Sequence, residues 1–167
     1  GSYERGWLIG NRDAKFCFAV SSIDRKRLTY LSADDAFVSG AWYYVVATYD
    51  GETMRLYVDG RLAAESLEQS GDIFYPERGV FGLGAYRDDD EFYPCAGRLA
   101  EVRLHKNVLS AAEIGSRFEA HKDRFPAIEA VVSQVVGWPT YMHDNTRSGQ
   151  TQEQLTLPLN RHWSYKT

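Results

Sequence analysis

The chain has 167 residues, of which 19 are lysine or arginine and 23 aspartate or glutamate, for a formal net charge of −4. The two signs are interspersed, which leaves no basic footprint for nucleic acid, and no apolar run approaches the roughly 20 residues that span a bilayer. Tyrosine occurs 11 times and aromatics make up 14% of residues, a composition suited to β-structure rather than a helical bundle.

Taken in chain order, strands are predicted at residues 7–10, 15–21, 27–31, 42–49, 54–58, 61–65, 79–86 and 97–105. The run Lys15-Phe-Cys-Phe-Ala-Val20 carries one of two cysteines, Cys17, and the other is Cys95. A single pair offers no spacing pattern, so a disulfide and two free thiols both stay open. Asp50-Gly51 and Asp59-Gly60 punctuate the next strands, and Asp-Gly supplies the positive-φ residues that hairpin turns need. Met54, Leu56 and Val58 alternate with Arg55 and Tyr57, whereas in 42–49 both alternate sets are apolar, as expected of a strand covered on both faces. Trp42, Tyr44, Val46, Leu56, Val58, Phe81, Val102 and Leu104 are expected to share one core. The periodicity then changes: Ser110-x-x-Glu113 is a capping box, with Leu109 and Ile114 as its hydrophobic staple. A second helix is expected over 126–136, opened by Pro126 and closed by Gly137.

The order Trp42, Ala47-Thr-Tyr-Asp-Gly51, Leu56-Tyr-Val-Asp-Gly60, Val80-Phe-Gly-Leu-Gly-Ala85 and Gly97-Arg-Leu-Ala-Glu-Val-Arg-Leu104 resembles the concanavalin-like jelly rolls of the laminin G and pentraxin group. The resemblance covers about residues 7–118. It implies a mainly β fold, an antiparallel β-sandwich over 3–122, with earlier strands missing at the N-terminus. An edge left open in this way would be covered or paired with another chain, so self-association through that edge or through the tail is expected. The same resemblance implies calcium. Pentraxin-like proteins carry ligands in the loop after the penultimate strand, here Asp88, Asp89 and Asp90, and in an earlier loop matched by Asn11 and Asp13. A hard cation needs several converging oxygens of this kind. The match departs at Tyr86 and Tyr93, where pentraxins supply further oxygens, and at Ala100, where related bacterial domains carry Asp. A solvated acidic loop is the alternative.

Tyr43, Tyr57, Tyr86 and Tyr93 are candidate surface aromatics, with Tyr86 and Tyr93 the candidate ligand-binding residues, because aromatic rings stack on apolar sugar faces and anchor protein contacts. No chemistry competes with binding. The chain has no Glu-x-Asp-x-x-Glu run of the kind glycoside hydrolysis uses on this fold. Its four histidines, His105, His121, His143 and His162, lack metal-ligand spacing.

After a linker at 123–137, Trp138-Pro139, Asp144 and Arg147-Ser148-Gly149 with Trp163 resemble the entry into quinoprotein-like (PQQ-type) β-propellers. A propeller needs several four-stranded blades, so residues 138–167 are expected to be its threshold only. The expected function is a non-catalytic recognition module for a glycan or protein ligand, from an extracellular, periplasmic or cell-envelope multidomain protein. The alternatives are a structural spacer against a following propeller and an accessory domain of a quinoprotein-like oxidoreductase.

Overall fold

The computed structural model describes residues 4–79, 81–87 and 91–125. These belong to the first of two units into which the chain divides, Gly1–Ile128. The second helix expected over 126–136 and the propeller-like tail lie outside the described residues. The fold is mainly β and antiparallel. One sheet contains β1 (Trp7–Arg12), β2 (Lys15–Ser21) and β3 (Leu28–Ala36), and a second contains β4 (Val45–Tyr49), β5 (Met54–Val58) and β6 (Arg61–Ser66), each in sequence order. A hairpin of β7 (Ala85–Arg87) and β8 (Phe92–Pro94) and a helix, α1 (Ala111–His121), follow.

The turns follow from local chemistry. Asp59 and Gly60, at φ 49° and 76°, join Val58 to its partner Arg61 as a two-residue turn with both residues left-handed, the backbone that matches strand twist in tight hairpins. Asp13 and Ala14, at φ 52° and 58°, make the same turn between Arg12 and Lys15. Asp50-Gly51 instead opens a wider loop between Tyr49 and Met54. There Asp50 Oδ1 accepts the amides of Glu52 and Thr53 at 3.0 and 2.7 Å. Its Oδ2 accepts from Arg55 Nη1 at 2.9 Å, while Arg55 Nε donates to Glu65 at 2.6 Å. Burial alone would push the Asp50 carboxyl up, but the Thr53 and Glu52 amides and the Arg55 guanidinium outweigh it and hold the group below the usual carboxylate range.

The sheets face each other through Phe18, Val20, Leu31 and Ala33 on one side and Met54 and Leu56 on the other. β2 is buried on both faces: Cys17 and Ala19 are closed off beneath their outer-face neighbours, with Ala19 flanked by Leu8 and Tyr30. Both cysteines are free thiols, Cys17 buried and Cys95 exposed, and burial pushes the Cys17 thiol up. Beyond β6, Gln69 is fully buried. Its Oε1 accepts from the amide and hydroxyl of Ser22 at 3.0 and 2.6 Å, and its Nε2 donates to Arg27 O and Thr29 Oγ1 at 2.9 and 2.7 Å.

The capping box forms as predicted, with Ser110 accepting from the Glu113 amide and Glu113 accepting from the Ser110 amide. Ile114 is fully buried. A Cβ on Gly60 would lie 3.0 Å from Phe118 Cβ and 3.3 Å from Gly115 Cα, so glycine is what lets α1 settle against the β5–β6 turn.

Several expectations need correction. The strand predicted at 42–49 begins at Val45, and the set that packs on the core is Val45, Ala47 and Tyr49. Trp42 and Tyr44 meet Phe125 and Phe118 instead, with ring centroids at 5.1 and 6.3 Å. With both alternate sets apolar, hydropathy could not choose the face; the pairing of Ala47 with Leu56 and Tyr49 with Met54 does. Tyr57 is buried rather than a surface aromatic. The strand expected over 79–86 is reduced to its end in β7, and 97–105 lies outside any strand. Phe81, Val102 and Leu104 are correspondingly 57%, 47% and 63% exposed. Alternating hydropathy selects a face but supplies no pairing strand.

Leu56→Ala should therefore lower unfolding free energy by about 2–5 kcal/mol in urea titration, while Leu104→Ala and Phe81→Ala should each stay within about 0.5 kcal/mol of the parent. Asp50 contributes stability that is present above its unfolded pKa, about 3.9, and lost as pH falls through its lower folded value. Acid titration of Asp50→Asn should show a less stable protein at neutral pH whose stability falls less steeply than the parent's below about pH 4.

Candidate recognition surface

The sequence-predicted residues fall on two hairpins. Asn11 lies in β1 opposite Phe16, and Asp13 is the first turn residue of the β1–β2 hairpin, exposed, with its Oδ2 3.9 Å from Arg12 Nε. Tyr86 and Tyr93 are cross-strand partners in β7 and β8, and their rings stack with centroids 6.1 Å apart at 27°. Tyr93 is 61% exposed. Residues 88–90, the acidic loop, fall between β7 and β8 in the chain and lie outside the described residues.

Three residues that sequence reasoning passed over join these hairpins. Arg12 places its guanidinium over the Tyr30 ring, 5.6 Å from the centroid. The Tyr30 hydroxyl donates to Glu4 Oε2 at 3.5 Å and the Tyr86 hydroxyl to Glu4 Oε1 at 2.7 Å. A continuous path of contacts therefore runs from Asp13 through Arg12, Tyr30 and Glu4 to the stacked tyrosines. Tyr30 was legible in principle, since its neighbours Leu31 and Ala33 are core residues and alternation sends it outward. Glu4 carried no such signal. Burial, and after it the Glu4 charge, pushes the Tyr30 hydroxyl above the usual tyrosine value.

The surface offers aromatic faces, a guanidinium donor and carboxylate acceptors side by side, which suits a polyhydroxylated or mixed polar–apolar ligand. The described residues alone do not make a cation site. Among them no three His, Cys, Asp or Glu side chains gather closely enough to hold a metal ion, and Asn11 and Asp13 offer two side chains where calcium takes six to eight oxygens.

Residues 1–115 match the family model described as the concanavalin A-like lectin/glucanases superfamily, of laminin G type, and the chain belongs to that family. It is 37% identical over 131 residues to pappalysin-1 of Homo sapiens, an alignment covering 72% of this chain and 8% of that protein. It is 36% identical over 129 residues to pappalysin-1 of Mus musculus, covering 71% and 8%. The chain thus spans about 8% of the length of these curated relatives. Among solved structures, an S-layer domain-containing protein from Clostridium thermocellum matches with a TM-score of 0.41 at 23% identity, over 68% of this chain and 57% of that one. No described helix is long and apolar enough to cross a membrane.

Removing the Glu4 charge should bring Tyr30 closer to its ordinary value. In Glu4→Gln, the Tyr30 ring-carbon resonance followed by NMR should report deprotonation at lower pH than in the parent.

Proposed function

We propose that this domain is a non-catalytic recognition module within a larger extracellular protein, binding a glycan through the tyrosine surface of β7, β8 and the outer face of β3. The observation that carries this reading is the stacked pair of half-buried Tyr86 and exposed Tyr93, tied by Glu4 to Tyr30, over which Arg12 lies. Two rings stacked across a hairpin give a fixed apolar platform at little entropic cost, and neighbouring charged groups can take up hydroxyls. Family membership supports binding as the activity. The small share of the curated relatives that the chain spans supports a module within a longer protein. Calcium would assist only through Asp88, Asp89 and Asp90 acting with Asp13 and Asn11.

A glycan array followed by titration of the best ligand tests this. Tyr93→Ala should weaken binding about tenfold or more, equivalent to about 1.4 kcal/mol. Absence of any glycan hit, or undiminished binding by Tyr93→Ala, would remove the reading. In the calcium arm, millimolar calcium should raise the melting temperature of the parent and leave an Asp88→Asn/Asp90→Asn variant unmoved. An equal response from both would leave the acidic loop solvated and unliganded.

A further inference from the structure

A second place in the molecule has the features of a ligand site and is lined by none of the residues of the tyrosine platform. β3 is bulged: Cys17 pairs with Ser32 but Lys15 with Ala36, so β3 carries two more residues than β2 over this stretch. A bulge takes its residues out of regular alternation and re-aims their side chains. Asp34 and Asp35 here line a cleft of about 490 Å³ together with residues of β2, β5, β6 and α1, a volume in the range of small-ligand sites. Asp59, in the β5–β6 turn, supplies a third carboxylate to the lining, and Arg61 is the one cation among the lining residues.

The lining also carries three aromatic rings that are held in place. Phe16, Phe37 and Tyr43 form a mutually packed trio with centroid distances of 5.0, 5.1 and 6.4 Å. The Tyr43 hydroxyl accepts the Val38 amide at 2.7 Å, and the Phe37 amide donates to Ala14 O at 2.8 Å, which anchors the loop carrying both rings. Asp34, Asp35 and Asp59 make no ion pair among the described residues. The Asp59 carboxylate accepts the Tyr44 amide through Oδ1 at 2.8 Å and keeps a second oxygen.

Aromatic faces attract a cation through the ring quadrupole, and a net excess of carboxylates attracts the same charge. A planar guanidinium satisfies both, stacking on a ring while pairing with a carboxylate. We propose that this cleft is a docking site for an arginine side chain of a protein partner. The inference is independent of the glycan reading, because it uses neither Tyr86 nor Tyr93.

The test is an amide NMR titration with N-acetyl-Gly-Arg-Gly-amide and with the same peptide carrying citrulline, which keeps the shape and loses the charge. The arginine peptide should shift the amides of Phe37, Tyr43 and Asp59, and the citrulline peptide should bind about tenfold more weakly. An Asp35→Asn/Asp59→Asn variant should lose about tenfold toward the arginine peptide. Asparagine retains the Oδ1 that accepts the Tyr44 amide and tolerates the left-handed backbone at position 59, and an unchanged melting temperature would certify the fold. Equal binding of the two peptides, shifts confined to Tyr86 and Tyr93, or no shift at the cleft amides would each overturn the proposal. None of these results bears on the glycan array, whose readout is Tyr93.

Discussion

The side-chain amide of Gln69 is the constraint on which the described sandwich most depends. It is fully buried, and all four of its hydrogen-bonding positions are used, two by Ser22 and one each by Arg27 and Thr29. These partners lie 40 to 47 residues away in sequence, at the β2–β3 end of the first sheet, while Gln69 itself follows the last strand of the second. Each such bond contributes only about 0.5–1.5 kcal/mol net, but an orphaned buried partner costs about 1–3 kcal/mol. The network therefore acts less as glue than as a condition: a 69–74 segment displaced from Ser22, Arg27 and Thr29 gives up these four bonds. The Ser22–Ile73 bridge and the bonds from Ile23 to Asp72 and Phe74 to Ser21 extend the same seam.

How much of this was legible depended on whether a residue's signal was local. The β5–β6 turn was readable because Asp59-Gly60 has a backbone requirement of its own. The α1 start was readable because Ser110 and Glu113 satisfy one another within three residues. The face of β4 was not, since Val45, Ala47 and Tyr49 are no more apolar than Trp42, Tyr44 and Val46, and only pairing to β5 separates them. Residues 97–105 carry strand-like alternation, yet a strand is a relation between two segments, and hydropathy describes one. Gln69, in a polar stretch with no period, had nothing to mark it.

The same division applies to the two surfaces. Tyr86 and Tyr93 were visible as aromatics in a segment that departs from the pentraxin pattern, and the hairpin register brings them face to face. Glu4 and Arg12 become their neighbours only through tertiary packing. The cleft was less visible still: two of its carboxylates lie where β3 gains two residues against β2, and a bulge leaves no mark in a sequence where Asp34-Asp35 reads as two more surface acids.

The order of strands within each sheet also bears on how the chain reaches this state. Every pairing in β1-β2-β3 and in β4-β5-β6 joins sequence neighbours, so each meander closes only short loops, the kind of contact associated with rapid folding. The entropic cost of long-range closure falls instead on stacking the two meanders and on the Gln69 seam, and that cost grows only logarithmically with loop length. Each meander by itself is a three-stranded sheet with one apolar face in water, close to the lower limit of independent stability. Docking of the two faces is thus the step that the short-range pairings leave undone, and Gln69 bonds across the seam that docking creates.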